Sequence, residues 1–302
     1  MNFSNLSTTG CRLCPRSCAV NRPAGDIGYC GGSNELQVAR IALHHWEEPI
    51  ISGSNGSGTV FFSGCNLRCI FCQNYRISHQ GYGKTLTTQA LAEKFLELEA
   101  KGAHNINLVT GAHFVPQLAE TIRQARSNGL RIPIVYNSSG YETVAALQIL
   151  NGLIDVHLPD LKYYAAQLSE RYADAPDYFA VATAAILEMI RQCGPVVLDD
   201  QGVIRSGVMI RHLILPGCGT DSQQCLRWIK ENVPDGVYVS LMAQYLPLPG
   251  LELPAELQRR LNQAEYDAVV EELFRLGLED GYVQELDSAD EAYIPDFDLT
   301  GV

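Results

Sequence analysis

Thr59-Val-Phe-Phe-Ser-Gly-Cys65-Asn-Leu-Arg-Cys69-Ile-Phe-Cys72-Gln-Asn74 is the stretch from which the rest of the chain is read. Its first four residues are a short apolar, β-prone run, the mark of a buried strand. The strand leads directly into three cysteines spaced C-x3-C-x2-C. A structural zinc site closes a tetrahedron with four ligands, usually as two separated pairs. Three thiolates on a four-iron cluster instead leave one iron open, and an open metal position is what catalysis requires.

Downstream the chain keeps one rhythm. Helical spacing covers 87–101, with Leu91, Phe95 and Leu98 on one face, Thr87 or Thr88 as N-cap and Gly102 past the end. A strand at 105–109, a helix opened by Pro116 and reaching Gly129, a strand at 132–136 and a helix at 141–150 follow. Next come a strand at 153–158 and helical sequence over 165–192 with a break near Pro176. A hairpin from Val196 leads into a strand at 207–215, then helix 220–232, strand 237–242 and helical sequence from Pro254 to Leu276, with a polar tail. From Thr59 onward this makes six strand–helix units in one direction, which implies parallel strands with right-handed crossovers. Periodicity alone leaves two α/β architectures, an open doubly wound sheet and a partial barrel. In both, ligands bind beyond the C-terminal ends of the strands, where the three cysteines sit.

Upstream, residues 1–58 are rich in Gly, Asn, Ser and Cys, with one partly alternating run, Leu36 to Ile41, that reads as a short strand. So few apolar residues imply a ligand-stabilised module. It carries Cys11-x2-Cys14-x3-Cys18-x11-Cys30, four thiolates that saturate one zinc ion or one [4Fe-4S] cluster. Gly25, Gly28, Gly31 and Gly32 allow tight turns that bring backbone amides near sulfur. The choice of metal stays open at this point. The expected organisation is this Cys-rich module at 1–58, a core at 59–250 and a helical extension with its tail at 251–302.

Composition fits that reading. The chain has 302 residues, 46% hydrophobic and 19% charged, enough to bury a large core. A net charge of −12 argues against a general nucleic-acid binder, which needs a basic face, though not against one local basic pocket. No run approaches the roughly 18 apolar residues of a membrane span, so no membrane partner is expected. The opening MNFSNLSTTGC shows no basic region followed by an apolar run, so no secretory leader is expected and a cytoplasmic location is. Seven of the 10 cysteines fall in the first 72 residues, and in a reducing compartment such crowding reads as metal ligation rather than disulfides. Cys193 and Cys225 read as helix-packing residues, and Cys218, after the fifth strand, as a small loop thiol or a radical relay.

The run from Gly56 to Asn74 resembles the radical S-adenosylmethionine (SAM) superfamily, whose signature is C-x3-C-x2-C with an aromatic, here Phe71, before the last cysteine. Within it the segment is similar to the pyruvate formate-lyase activating enzymes and their relatives, and the likeness extends over about residues 36–250, because strand-end motifs recur in order. The resemblance implies a partial parallel (β/α)6 barrel and a [4Fe-4S] cluster on Cys65, Cys69 and Cys72, with SAM on the fourth iron. One-electron reduction would then cleave SAM to methionine and a 5′-deoxyadenosyl radical that abstracts hydrogen, the chemistry being the cofactor's and the shelter the protein's. Phe71 either packs near the adenine or fills core.

The strand ends supply the other candidates. The second ends in Val109-Thr110-Gly111-Ala112-His113, where the family often has Gly-Gly-Glu for the SAM amino group; with no glutamate here, Thr110, the backbone at Gly111, or His113 stands in its place. After the third, Asn137 and Ser138 read either as N-caps of the next helix or as contacts to the ribose or a monovalent cation. The fourth ends in Asp160-Leu-Lys162, residues on one side of an extended segment that resemble the Asp-Leu-Lys of the activators; they form either a site for the SAM carboxylate or a mutual ion pair. Arg211 breaks the apolar fifth strand and reads either as a carboxylate-binding group near SAM or as the partner of an acid such as Asp160. His212 points the other way, as a core histidine. On the sixth strand Met242 and Gln244 share a face, with Gln244 a weak substrate contact; His44 and His45 have no assigned role.

The reading is therefore a radical SAM enzyme served by a one-electron reductant such as flavodoxin or ferredoxin. Its partner would be a glycyl-radical enzyme that it activates; the alternatives are radical modification of a small molecule or peptide, and a non-enzymatic iron–sulfur or zinc protein. The last leaves Asp160, Lys162 and Arg211 without a purpose.

Overall fold

The computed structural model describes residues 10–290 and 294–302. The opening stretch on which the absence of a leader was read lies outside them, up to Thr9. The chain forms β1 (Leu36–His44), α1 (Pro49–Ser52), β2 (Ser57–Phe62), α2 (Tyr75–Ser78), β3 (Lys84–Leu86), α3 (Thr88–Ala100), β4 (Ile106–Val109) and α4 (Val115–Ser127). It continues with β5 (Ile134–Ser138), α5 (Val144–Leu150), β6 (Val156–Pro159), α6 (Ala166–Ala173), α7 (Tyr178–Cys193), β7 (Val197–Leu198) and β8 (Ile204–Leu213). The last elements are α8 (Gly219–Asn232), β9 (Tyr238–Met242), α9 (Gln263–Arg275) and β10 (Gly281–Val283). Among the described residues no helix is long and apolar enough to cross a membrane.

The strands lie in the order β10-β9-β8-β6-β5-β4-β2-β1-β3. From β2 to β10 every neighbouring pair is parallel, β1 and β3 add antiparallel strands at one edge, and β7 folds back on β8 as the expected hairpin. The parallel strands follow chain order without reversal, so the switch point of a doubly wound sheet is missing. All crossovers wind the same way and the sheet curls into a partial (β/α) barrel.

Side-chain alternation then sorts two cores. Val60, Phe62, Leu108, Ile134, Tyr136 and Ile210 face outward and pack under the helices in one large cluster. Val135, Val156, Leu158 and Met209 face inward and are plugged from below by Ile50 and Ile51 of α1. Above that plug the inward residues are Phe61 and Val109, closed on one side by Phe297 from the C-terminal segment. The next inward positions on β5 to β8 are polar, and they line a cleft.

Some boundaries differ from the sequence reading, each for a local reason. The third strand runs to Ser138 rather than Tyr136, so Asn137 and Ser138 are strand residues and not caps. Thr143 caps α5 instead, its Oγ1 accepting from the Ala146 N–H at 3.1 Å. Helical sequence from Pro254 resolves into a single 3-10 turn at Ala255–Leu257, and α9 starts only after Asn262, which forms a capping box with Glu265. The tail holds β10, three residues long, paired with β9; a segment that short has no periodicity to read.

Candidate functional site

β2 delivers its cysteines through a tight backbone turn. Gly64 sits at φ +86°, and a methyl group there would come within 2.4 Å of the Cys30 carbonyl oxygen, so this position needs glycine. Its N–H donates to Ile77 O at 2.8 Å. The Leu67 and Arg68 amides donate to Cys65 Sγ at 3.4 and 3.5 Å, and the Tyr163 hydroxyl donates to Cys69 Sγ at 3.7 Å. All three sulfurs line one cleft at the C-terminal ends of the parallel strands. Burial pushes all three thiols up, Cys69 to about 12, so they need positive charge nearby to act as thiolates.

Lys162 supplies one positive charge. Its Nζ lies 2.6 Å from Asp160 Oδ2, and both side chains line the same cleft as the cysteines. Burial opposes its charge, but Asp160 and then Cys69 outweigh that cost and hold the ammonium protonated. Thr110, Asn137 and Ser138 face the same space, as do Met242 and Gln244. Thr110 is held at φ +61°, a left-handed conformation rare for a β-branched residue, with its N–H on Asn137 O at 2.9 Å. Phe71 lines the cleft too, edge-on to Tyr172 and Tyr245 with centroids 6.2 and 5.8 Å away.

Arg211 reaches the cleft, but its guanidinium is engaged. Nε donates to Glu48 Oε1 at 2.9 Å, and Nη2 pairs with both Glu47 and Glu48. The acid partner is thus not Asp160, which meets Arg211 only through a backbone bridge. Glu47 also accepts from Asn107 Nδ2 at 2.9 Å. These two glutamates were missed from sequence; the available signal was an acidic pair just ahead of Pro49 with no basic neighbour in the chain.

Several candidates lie elsewhere. The side of Gly111 where a side chain would sit faces Leu118 and Phe62, and Gly111 is not among the residues that line the cleft. His113 is buried behind the strand, its Nε2 2.8 Å from Ser63 O, and burial pushes it down to about 4. His212 faces the helices, with Nδ1 2.5 Å from Leu161 O. Cys218 lies beside Tyr172 along a separate groove, 3.9 Å from its hydroxyl. Cys225 is fully buried under α8, and Cys193 donates to Ile154 O at 3.4 Å. His44 does line the cleft, edge-on to Phe61 at 6.0 Å. The four N-terminal cysteines gather outside the cleft, against the back of the cysteine loop.

The donor set fits an iron–sulfur cluster on the loop. Among the described residues no three His, Cys, Asp or Glu side chains are close enough to share a single metal ion. A cubane places each thiolate on a different iron, so it does not require the three to meet on one ion. Amides aimed at Cys65 Sγ, a hydroxyl on Cys69 Sγ and the Lys162 charge are donors that favour sulfur carrying negative charge.

Residues 59–175 match the family model described as the Radical SAM superfamily. The chain is 29% identical over 270 residues to the uncharacterized protein MJ0674 of Methanocaldococcus jannaschii, an alignment covering 86% of this chain and 73% of that protein. Among solved structures it is similar to anSMEcpe with bound AdoMet, at 15% identity and TM-score 0.48, covering 74% of this chain and 61% of that one. It is also similar to methylornithine synthase (PylB), at 18% identity and TM-score 0.49, covering 78% and 71% of the two chains.

Proposed function

We propose, from the match of residues 59–175 to the Radical SAM superfamily model, that this chain is an iron–sulfur enzyme that reductively cleaves S-adenosylmethionine to draw a hydrogen atom from a substrate held in the cleft. The observation that carries this reading is the convergence of Cys65, Cys69 and Cys72 with Lys162 on one cleft at the strand ends. Cys65, Cys69 and Cys72 would hold a [4Fe-4S] cluster that, when bound, would supply one-electron reduction of SAM.

The chain's own residues then have separable tasks. Lys162, kept charged by Asp160, offers an ammonium to the SAM carboxylate. Thr110 and Asn137 present oxygen at the strand ends where the family's glutamate is absent, and suit the SAM amino group. Phe71, Tyr245 and Val109 provide apolar wall that excludes water from a reactive radical. Ser138 completes the polar rim.

The finer question is what loses the hydrogen. Activation of a glycyl-radical enzyme requires a partner's loop to enter the barrel from the side. Here the C-terminal segment crosses that side: Ile41 N–H donates to Thr300 O at 2.9 Å, Arg40 pairs with Asp298 at 2.9 Å, and Pro295 lines the cleft. This favours a small molecule or short peptide as substrate.

The test is anaerobic reconstitution with iron and sulfide, then reduction in the presence of SAM. 5′-Deoxyadenosine should form, and should vanish in Cys69→Ala. Iron-loaded protein that makes none with any reductant defeats the reading. A glycyl-radical signal on a candidate partner protein, seen by electron paramagnetic resonance, would favour activation over small-substrate chemistry.

A further inference from the structure

The four N-terminal cysteines form their own site. Cys11 pairs by backbone with the far side of its turn, its N–H on Val20 O and its carbonyl accepting from Ala19, each at 3.0 Å. Ser17 at φ +42° and Ala19 at φ +56° tighten that turn. The second arm returns through Gly28, whose added methyl would meet Cys18 Sγ at 2.9 Å and Cys30 Sγ at 3.8 Å. Gly32 donates its N–H to Cys30 Sγ at 3.4 Å. Cys14 is within electrostatic reach of Cys11 and Cys30, and Cys30 of Cys11 and Cys18. Four thiols thus gather in one small volume, enough ligands to saturate one [4Fe-4S] cluster.

Position gives the site its purpose. The Cys65 N–H donates to Cys30 O at 2.9 Å, so a ligand of one site is hydrogen-bonded to a ligand of the other. Arg16, between Cys14 and Cys18, sends Nε to Asn66 O at 2.9 Å, inside the catalytic cysteine loop. Arg68 of that loop reciprocates with Nη1 on Tyr29 O at 3.1 Å, next to Cys30. At the opposite corner, Cys18 is half-buried between exposed Ser17 and Ala19, so the site has one end at the surface and one against the catalytic loop.

We propose that Cys11, Cys14, Cys18 and Cys30 hold a second [4Fe-4S] cluster that takes single electrons from a reduced flavin or iron–sulfur protein docking near Cys18, and passes them to the cluster on Cys65, Cys69 and Cys72 across the Cys30–Cys65 hydrogen bond. Each transfer oxidises the second cluster by one electron and reduces the first by one. The external donor then restores the second. With four protein thiolates no iron stays open, so this cluster binds no SAM and serves electron transfer alone. The relay, though not the second cluster itself, rests on the reading that Cys65, Cys69 and Cys72 carry a SAM-cleaving cluster.

Two arms keep these readings apart. The full chain carrying Cys65→Ala, Cys69→Ala and Cys72→Ala, reconstituted anaerobically, should retain about four iron atoms and give a reduced-cluster paramagnetic signal. Bound zinc, or no iron, overturns the second cluster whatever the enzyme's activity. Second, Cys18→Ala with the catalytic cysteines intact should slow reduction of the remaining cluster by reduced flavodoxin at least about tenfold in freeze-quench paramagnetic resonance. Reduction by dithionite should stay unchanged. An unchanged flavodoxin rate overturns the relay. If the first arm retains its iron while the wild-type chain makes no 5′-deoxyadenosine, the second cluster stands and the SAM-cleaving assignment falls.

Discussion

Arg211 Nε donates to Glu48 Oε1 at 2.9 Å inside the barrel, across 163 positions of chain. With Glu47 on the same guanidinium, the pair ties the turn after β1 to β8 at the cleft wall. Removing both carboxylates leaves a buried cation with no counter-charge. The double variant Glu47→Ala/Glu48→Ala should therefore lose about 3–5 kcal/mol of stability in urea unfolding. A loss below about 1 kcal/mol would show that water reaches Arg211 freely.

Lys162 and Asp160 are 2.6 Å apart on the cleft wall. Lys162→Met should keep the fold, seen as an unchanged circular dichroism spectrum. It should weaken SAM binding by calorimetry about tenfold or more, the cost of one charge-assisted hydrogen bond. Asp160→Asn should weaken it less. If both variants bind SAM like wild type, the pair is only a structural ion pair.

Glu142 is buried against Tyr136, whose hydroxyl donates to its Oε2 at 2.7 Å, and burial raises its carboxyl to about 7. The folded pKa lies above the unfolded one, so this group's stabilisation is complete below about 4.5 and fades as pH rises through about 7. Glu142→Gln removes the ionisation. Relative to wild type the variant should gain about 3 kcal/mol between pH 4.5 and pH 8 in denaturant titrations. Parallel stability curves for the two proteins would show that Glu142 ionises normally.

Gly64→Ala places a methyl 2.4 Å from Cys30 O at φ +86°. Strain plus displacement of the Cys30–Cys65 contact should cost about 1–3 kcal/mol and lower the melting temperature. Iron loading at both cysteine groups should fall with it, measured by metal analysis. Gly31→Ala, also at positive φ but with nothing within 4 Å of its methyl, is the control for strain alone.

The sequence by itself determined the succession of parallel strand–helix units and the cysteine loop, and the strand order of the structure decided for a partial barrel over an open sheet. The first two are local signals: six strand–helix units appear as changes of hydrophobic period, and C-x3-C-x2-C at the end of a strand fixes where its sulfurs emerge. Asp160 and Lys162 were legible for the same reason, since residues two apart on an extended segment must share a side. Tertiary structure alone decided what long-range packing controls. At the sequence level Arg211 read either as a carboxylate-binding group near SAM or as the partner of an acid such as Asp160; it pairs with Glu47 and Glu48 because the turn that leads into α1 brings them to β8. Cys30 and Cys65 meet only because the N-terminal module lies against the β2 turn at Gly64, a contact that no spacing along the chain encodes. β10 joins the sheet because β9 leaves an open edge whose N–H and C=O groups need partners, and three residues suffice to supply them.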